Sequence, residues 1–154
     1  MTKASIFFID FETSGLNPFW DDIIEIGVTN YDGSKHFTCI VNPEYEVSDR
    51  ITYITGITNS MIKEKGISLK SAIEQLHLFL KMNTPSGNSI WLVGHNAFNF
   101  DKLFYDFSLT KIKIRPFRPI PKWMDSYRLA QFAFPSLNNY KLSTIYKNFF
   151  TYFK

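Results

Sequence analysis

The chain has a single cysteine among its 154 residues, Cys39 in the apolar stretch "FTCIV", so no internal disulfide can form and the thiol reads as a small core residue. No apolar run approaches the roughly 20 residues of a membrane span. No N-terminal stretch joins a basic head to a long apolar centre and a small-residue cleavage site. These absences predict a soluble, intracellular protein with no membrane partner. Repeats and low-complexity tracts are also missing. What is present is 45% hydrophobic and 18% aromatic residues, enough apolar surface for a sizeable core, and residues 1–154 are expected to form one domain.

Acid is scarce in the second part of the chain. Residues 1–101 carry 7 Lys/Arg against 12 Asp/Glu, whereas residues 102–154 carry 10 against 2, so the formal net charge of +3 is the difference between an acidic part and a basic one. Past Asp125 there is no Asp, Glu or His at all. Such asymmetry suits a polyanion held by the basic part while acidic side chains, with metal cations, act on it; a merely solvated basic face is the alternative.

Hydrophobic patterning predicts a mixed α/β architecture. "SIFFID" is a continuous apolar run too short for most helices, and so a buried strand. "DIIEIGVTNYDG" alternates and ends in Asp32-Gly33, a hairpin signal leading into "KHFTCIVNP", which makes the first three strands an antiparallel meander. Ser68 is placed to cap a helix with Leu69, Ala72, Ile73, Leu76, Phe79 and Leu80 on one face. "IWLVG" then reads as a fourth strand, "DKLFYDF" as a helix, "KWMD" as a short fifth strand and "SYRLAQFAF" as a helix stopped by Pro135. In the tail, Leu142, Ile145, Phe149 and Phe153 recur at helical spacing, a docking face rather than stacking partners for bases.

"FFIDFETSGL" ends its apolar run on two carboxylates. In a strand, residues i and i+2 share a face, so Asp10 and Glu12 project together where Thr13, Ser14 and Gly15 turn the chain. Like charges so placed raise at least one carboxylate pKa unless a divalent cation with oxygen ligands offsets them. A strand-end pair in water is one alternative. A glycosidase pair is another, but its carboxyls face each other across a sugar, roughly 5 Å or more apart, and come from different segments. In "LVGHNAFNFD", Asp101 heads a helix whose N-terminus favours negative charge, as a cap or as a third ligand. His95 reads as a hydrogen-bonded structural histidine before a base, and Asn96 as a residue that fixes the turn.

In this order, "FIDFETSGL", "IIEIGVTNYDG", "YITGITNSMI", "LVGHNAFNFDKLF" and "WMDSYRLAQFAFPSLNNYKLSTI" resemble the DEDD superfamily of 3′ to 5′ exonucleases, the group of proofreading subunits and three-prime repair exonucleases. The interval from His95 to Asp101 is one residue longer than in the commonest proofreading pattern and resembles the three-prime repair branch. The resemblance implies a ribonuclease H-like fold, a five-stranded mixed sheet flanked by helices, and metal-dependent removal of nucleotides from the 3′ ends of DNA or RNA. It implies that Asp10, Glu12 and Asp101 hold two Mg²⁺ or Mn²⁺ ions, one activating a water for in-line attack and the other stabilising the departing 3′ oxygen. It also implies that Thr13, through its backbone, and Leu16, as an apolar wedge, contact the terminal nucleotide, with Asn96 close to the same pocket.

One expected part is missing. The family carries a third motif, in this branch a histidine general base followed by a fourth aspartate, on a helix after "YKLSTI", and no such pair follows here. Asp125 precedes Ser126 at the start of a helix and reads as its cap. We therefore expect a chain that stops one helix short: truncated, encoded by a decaying gene, or kept as a non-catalytic nucleic-acid-binding module. A missing general base typically costs about 10² to 10⁴ in rate, so slow turnover is expected. With that helix absent, the C-terminal aromatic face is expected to be exposed and open to self-association. In "KIKIRPFRPIPK", three prolines and a series of basic residues with no acid predict a stiff, extended connection that lies along a phosphate backbone through Arg115 and Arg118; an exposed connector is the alternative.

Overall fold

The computed structural model describes residues 3–115 and 117–152. The meander forms as expected: β1 (Ala4–Thr13) pairs antiparallel with β2 (Ile23–Asn30), and β2 with β3 (His36–Asn42). The hairpin between β2 and β3 closes through Asn30 N–H donating to the Lys35 carbonyl at 2.9 Å, and Gly33 sits at φ 72°, which its lack of a Cβ permits. Two strands follow in parallel beside β1, namely β5 (Ser89–Gly94) and then β6 (Lys122–Asp125).

A further two-residue strand, β4 (Ile67–Ser68), pairs parallel with β3, giving a six-stranded mixed sheet in the order β4-β3-β2-β1-β5-β6. The sequence pattern implies five strands because two residues carry no periodicity to detect. For the same reason it assigns nothing to α1 (Asp49–Thr55) and α2 (Asn59–Lys65): α1 buries no residue and α2 only Ile62.

The helix that starts after Ser68 is α3 (Leu69–Met82), and the Ser68 hydroxyl accepts from Ser71 N–H at 3.2 Å. Its buried residues Ala72, Ile73, Leu76 and Leu80 meet Phe7, Ile9 and Phe11 of β1 in the main core, which α4 (Asp101–Lys111) joins through Phe104 and Tyr105. Strict alternation along β1 sends Phe7, Ile9, Phe11 and Thr13 into that core and leaves Phe8, Asp10 and Glu12 on the opposite face. The chain then passes through α5 (Ser126–Ala133) to α6 (Leu142–Tyr152). Among the described residues no helix is long and apolar enough to cross a membrane.

One register detail positions the site. β1 pairs with β5 only as far as Phe8↔Val93, but with β2 as far as Thr13↔Ile23. The acid-bearing end of β1 therefore outruns β5, and the chain leaving β5 turns away beside it.

Candidate active site

Asp10 and Glu12 occupy the open face of that overhanging end, with Asp10 opposite Gly27 and Glu12 opposite Glu25 on β2. Asp101, the first residue of α4, is only 2% exposed, and its Oδ1 accepts from the backbone N–H of Phe11 at 3.0 Å. This bond fixes Asp101 to the peptide between the two other acids. Gly94 leaves room for it, since a Cβ there would lie 3.3 Å from Asp101 Oδ2 and 3.2 Å from the Ile9 carbonyl.

The three carboxyls interact through space. Burial pushes Asp101 up to about 7, Asp10 and Asp125 add to the rise, and the Phe11 amide opposes it. Glu12 is raised by burial and then by Asp10 and Glu25, while Asp10 is raised by burial and drawn back by His95. Among the described residues, no three His, Cys, Asp or Glu side chains are gathered into a ready metal cluster. The donor chemistry nonetheless fits a hard divalent cation, because all three groups are oxygen donors whose mutual repulsion a cation relieves.

The turn after β5 is held by Asp125. Its Oδ1 accepts from Asn96 N–H at 2.9 Å and from Tyr127 N–H at 2.9 Å, and its Oδ2 from Phe98 N–H at 3.2 Å. Asp125 thus caps α5, as its place before Ser126 predicts, and also clamps the loop that carries His95 and Asn96. That second role was invisible in sequence because its partners lie 27 and 29 residues upstream. Asn96 fixes the turn at φ 63°, its Oδ1 accepting from Asn99 Nδ2 at 2.8 Å. His95 Nδ1 is 3.0 Å from Ser126 Oγ and its ring meets Tyr127 edge-on, which matches the structural role expected of it.

A family model described as "Exonuclease" matches residues 7–152. The chain belongs to the exonuclease family. It is similar to the DNA polymerase III PolC-type of Caldanaerobacter subterraneus subsp. tengcongensis, at 34% identity over 139 residues, 88% of this chain and 9% of the relative. It is similar likewise to that of Thermotoga maritima, at 32% identity over 146 residues, 92% of this chain and 10% of the relative. It therefore spans about a tenth of the length of these polymerases. Among solved structures, Exonuclease I in an ExoI/SSB-Ct complex superposes with a TM-score of 0.76 at 18% identity, over 95% of this chain and 36% of that one. Exonuclease I of E. coli in complex with a dA16 oligonucleotide gives 0.71 at 18% identity, over 87% and 31%. The fold is thus that of the ribonuclease H-like exonucleases, with the sixth strand as a short addition.

Within this exonuclease domain, Thr13 and Leu16 flank the acids in opposite ways. Thr13 is buried and donates its hydroxyl to the Gly15 carbonyl, whereas Leu16 is 83% exposed in the loop that follows β1. Beside Asp10, the same face of the sheet holds an open groove of about 730 Å³ lined by Phe8, Thr29, His36, Val93 and Leu142.

Arg115 and Arg118 are both exposed. Arg118 borders a separate cavity of about 640 Å³ with Lys81, Asn88 and Ser89, at the end of β5 opposite Gly94. The connector follows α3 because Phe117 stacks on His77, with ring centroids 4.8 Å apart, and it bends at Arg118-Pro119, joined by a cis peptide bond. In the tail, Leu142 and Phe149 are exposed and Ile145 is half-buried, while Phe153 lies outside the described residues.

Proposed function

We propose that this domain removes nucleotides from the 3′ ends of DNA or RNA by metal-dependent hydrolysis of the terminal phosphodiester. What supports it best is the overhanging end of β1, which carries Asp10 and Glu12 on one face and whose Phe11 amide, between them, donates to the Asp101 carboxylate. Asp10, Glu12 and Asp101 would hold the cation, Mg²⁺ or Mn²⁺. When bound, such ions supply Lewis-acid assistance to the attacking water and to the departing 3′ oxygen. Asp101, with its pKa pushed up to about 7, must shed a proton to act as a ligand, so cation affinity rises with pH through neutrality. Leu16 and the backbone of Thr13 orient the terminal nucleotide, and Asn96, held by Asp125, borders the same place.

Calorimetric titration with Mn²⁺, run on the wild type and on Asp10→Asn, tests the site. Release of nucleotides from a 5′-labelled oligonucleotide, run with Glu12→Ala, tests the reaction. Weaker Mn²⁺ binding in Asp10→Asn and loss of release in Glu12→Ala are expected; unchanged behaviour in both variants overturns the proposal. A non-catalytic nucleic-acid-binding module is the second reading. It is favoured by one observation: residues 126–154 hold no Asp, Glu or His to supply a general base or a fourth oxygen ligand. Oligonucleotide binding without any release in Mn²⁺ would select it.

A further inference from the structure

Three large apolar side chains are exposed in the loop between β1 and β2, Phe19 at 70% and two that make no ring contact among the described residues. Leu16 is 83% exposed and Trp20 82%. This loop is closed at its base, where Ser14 N–H donates to the Asp22 carbonyl at 2.9 Å and Asp22 N–H donates to Ser14 Oγ at 2.9 Å. Across the loop, Asp21 Oδ2 accepts from Asn17 N–H at 2.8 Å, and Trp20 N–H and Asp21 N–H both donate to the Asn17 carbonyl, at 3.0 and 2.8 Å. A Cβ at Gly15 would overlap the Asp21 carboxylate, so a larger residue there would displace that side chain from the Asn17 amide. The loop backbone is therefore fixed, and it leaves the Trp20 indole largely in solvent.

Its placement is keyed to the carboxylates on two sides. The base adjoins Glu12 and Thr13 directly in the chain. Between Leu16 and Trp20 in the chain, Phe19 packs on Phe107 of α4 with ring centroids 4.2 Å apart, and α4 is the helix that begins with Asp101. The loop's own acids are occupied: Asp21 by the Asn17 amide, and Asp22, buried at 7% exposure, by an ion pair with Lys111. The loop thus presents an aromatic ring, with one of its two acids, Asp22, offset by Lys111.

We propose that Trp20 is a stacking platform for an unpaired nucleobase of the strand whose 3′ end lies at Asp10, Glu12 and Asp101. This rests on the exonuclease reading and adds to it a specificity-determining contact. With the loop backbone fixed, stacking has to order only the two χ angles of the indole, and base–aromatic stacking tolerates any sequence because every base has a π-face. Trp20 makes the domain prefer ends with several unpaired nucleotides, without a preference among bases.

The test is an abasic scan. A set of fluorescein-labelled 12-nucleotide single strands, each lacking one base at a different distance from the 3′ end, is titrated with the wild type, Trp20→Ala, Trp20→Phe and, as a control, Phe132→Ala, which removes an aromatic that is 90% exposed on α5. Anisotropy in Ca²⁺ reads affinity. In the wild type and in Phe132→Ala, loss of one particular base should weaken binding roughly 5- to 100-fold. Trp20→Ala should bind the intact strand as weakly as the wild type binds that abasic one and should be indifferent to the same lesion, and Trp20→Phe should restore much of the difference. If the wild type binds and hydrolyses the strands but its abasic profile survives in Trp20→Ala, this proposal falls and the exonuclease reading stands. If the wild type neither binds nor hydrolyses them, both fall. If Trp20→Ala changes the sedimentation of the free protein and not its affinity for the strand, the ring is a contact between protein surfaces and the proposal is overturned.

Discussion

Asp101 Oδ1 accepts a hydrogen bond from the backbone N–H of Phe11 at 3.0 Å, across 90 residues of sequence. An amide oxygen can accept the same bond, so Asp101→Asn keeps the clip and removes only the charge. In EDTA the effect on stability has a definite sign. The folded protein holds the Asp101 proton up to about pH 7, whereas the unfolded chain releases it near the ordinary 3.8, so through this group the wild type loses stability as pH rises between those values. We expect Asp101→Asn to gain on the wild type by about 1–3 kcal/mol between pH 5 and pH 8 in calorimetric melts, and to lose Mn²⁺ binding. A constant gap across that range would show that Asp101 titrates as an ordinary carboxylate.

His77 works in the opposite direction. It is buried in α3 with Nε2 2.8 Å from the Tyr105 hydroxyl, and burial lowers its pKa from 6.5 to about 4. The unfolded chain takes up a proton that the fold refuses, so the contribution of this group is complete above about 6.5 and is lost as pH falls towards 4. His77→Phe should be less stable at pH 7 by about 1 kcal/mol for the lost hydrogen bond, and the deficit should narrow or reverse at pH 5. Denaturant melts at the two pH values measure it.

Gly94→Ala should damage the site and the fold together. The new Cβ would lie 2.9 Å from Ala97 Cβ, 3.2 Å from the Ile9 carbonyl and 3.3 Å from Asp101 Oδ2. Two of those neighbours belong to packed chain that cannot simply swing away. A loss of about 1–3 kcal/mol is expected. Mn²⁺ affinity should fall with it, as read by titration at a temperature where the variant is still folded.

Asp125→Ala strips the acceptor from three backbone amides at once, those of Asn96, Phe98 and Tyr127. With the carboxylate only 2% exposed, water replaces it poorly, and a cost of about 2–4 kcal/mol follows. Hydrogen exchange should show those amides opening before the rest of the sheet does.

Legibility in the sequence followed the strength of local pattern. The meander, the Ser68 cap and the position of Asp101 at a helix head all rest on periodicity or on single residues with strong positional preference, and all are found. β4, α1 and α2 are too short or too exposed to leave a period. Asp10 and Glu12 were legible as a pair because a strand repeats every two residues; that Asp101 joins them depends on the Phe11 amide, a contact only the folded chain makes. The connector shows the limit most plainly. Its charge was readable but its route was not, since the stacking of Phe117 on His77 takes Arg118 to the far end of β5.

The two ends of α4 have different fastenings to the same hairpin. Asp101 is tied to Phe11 inside β1, and Lys111, the last residue of the helix, is ion-paired with Asp22 just ahead of β2. A rod pinned at both ends can neither swivel about its axis nor slide along it without releasing a pin. Sliding or rotating α4 would therefore break the Phe11–Asp101 hydrogen bond or the Lys111–Asp22 ion pair, so the place of Asp101 beside β1 depends on the whole 11-residue helix.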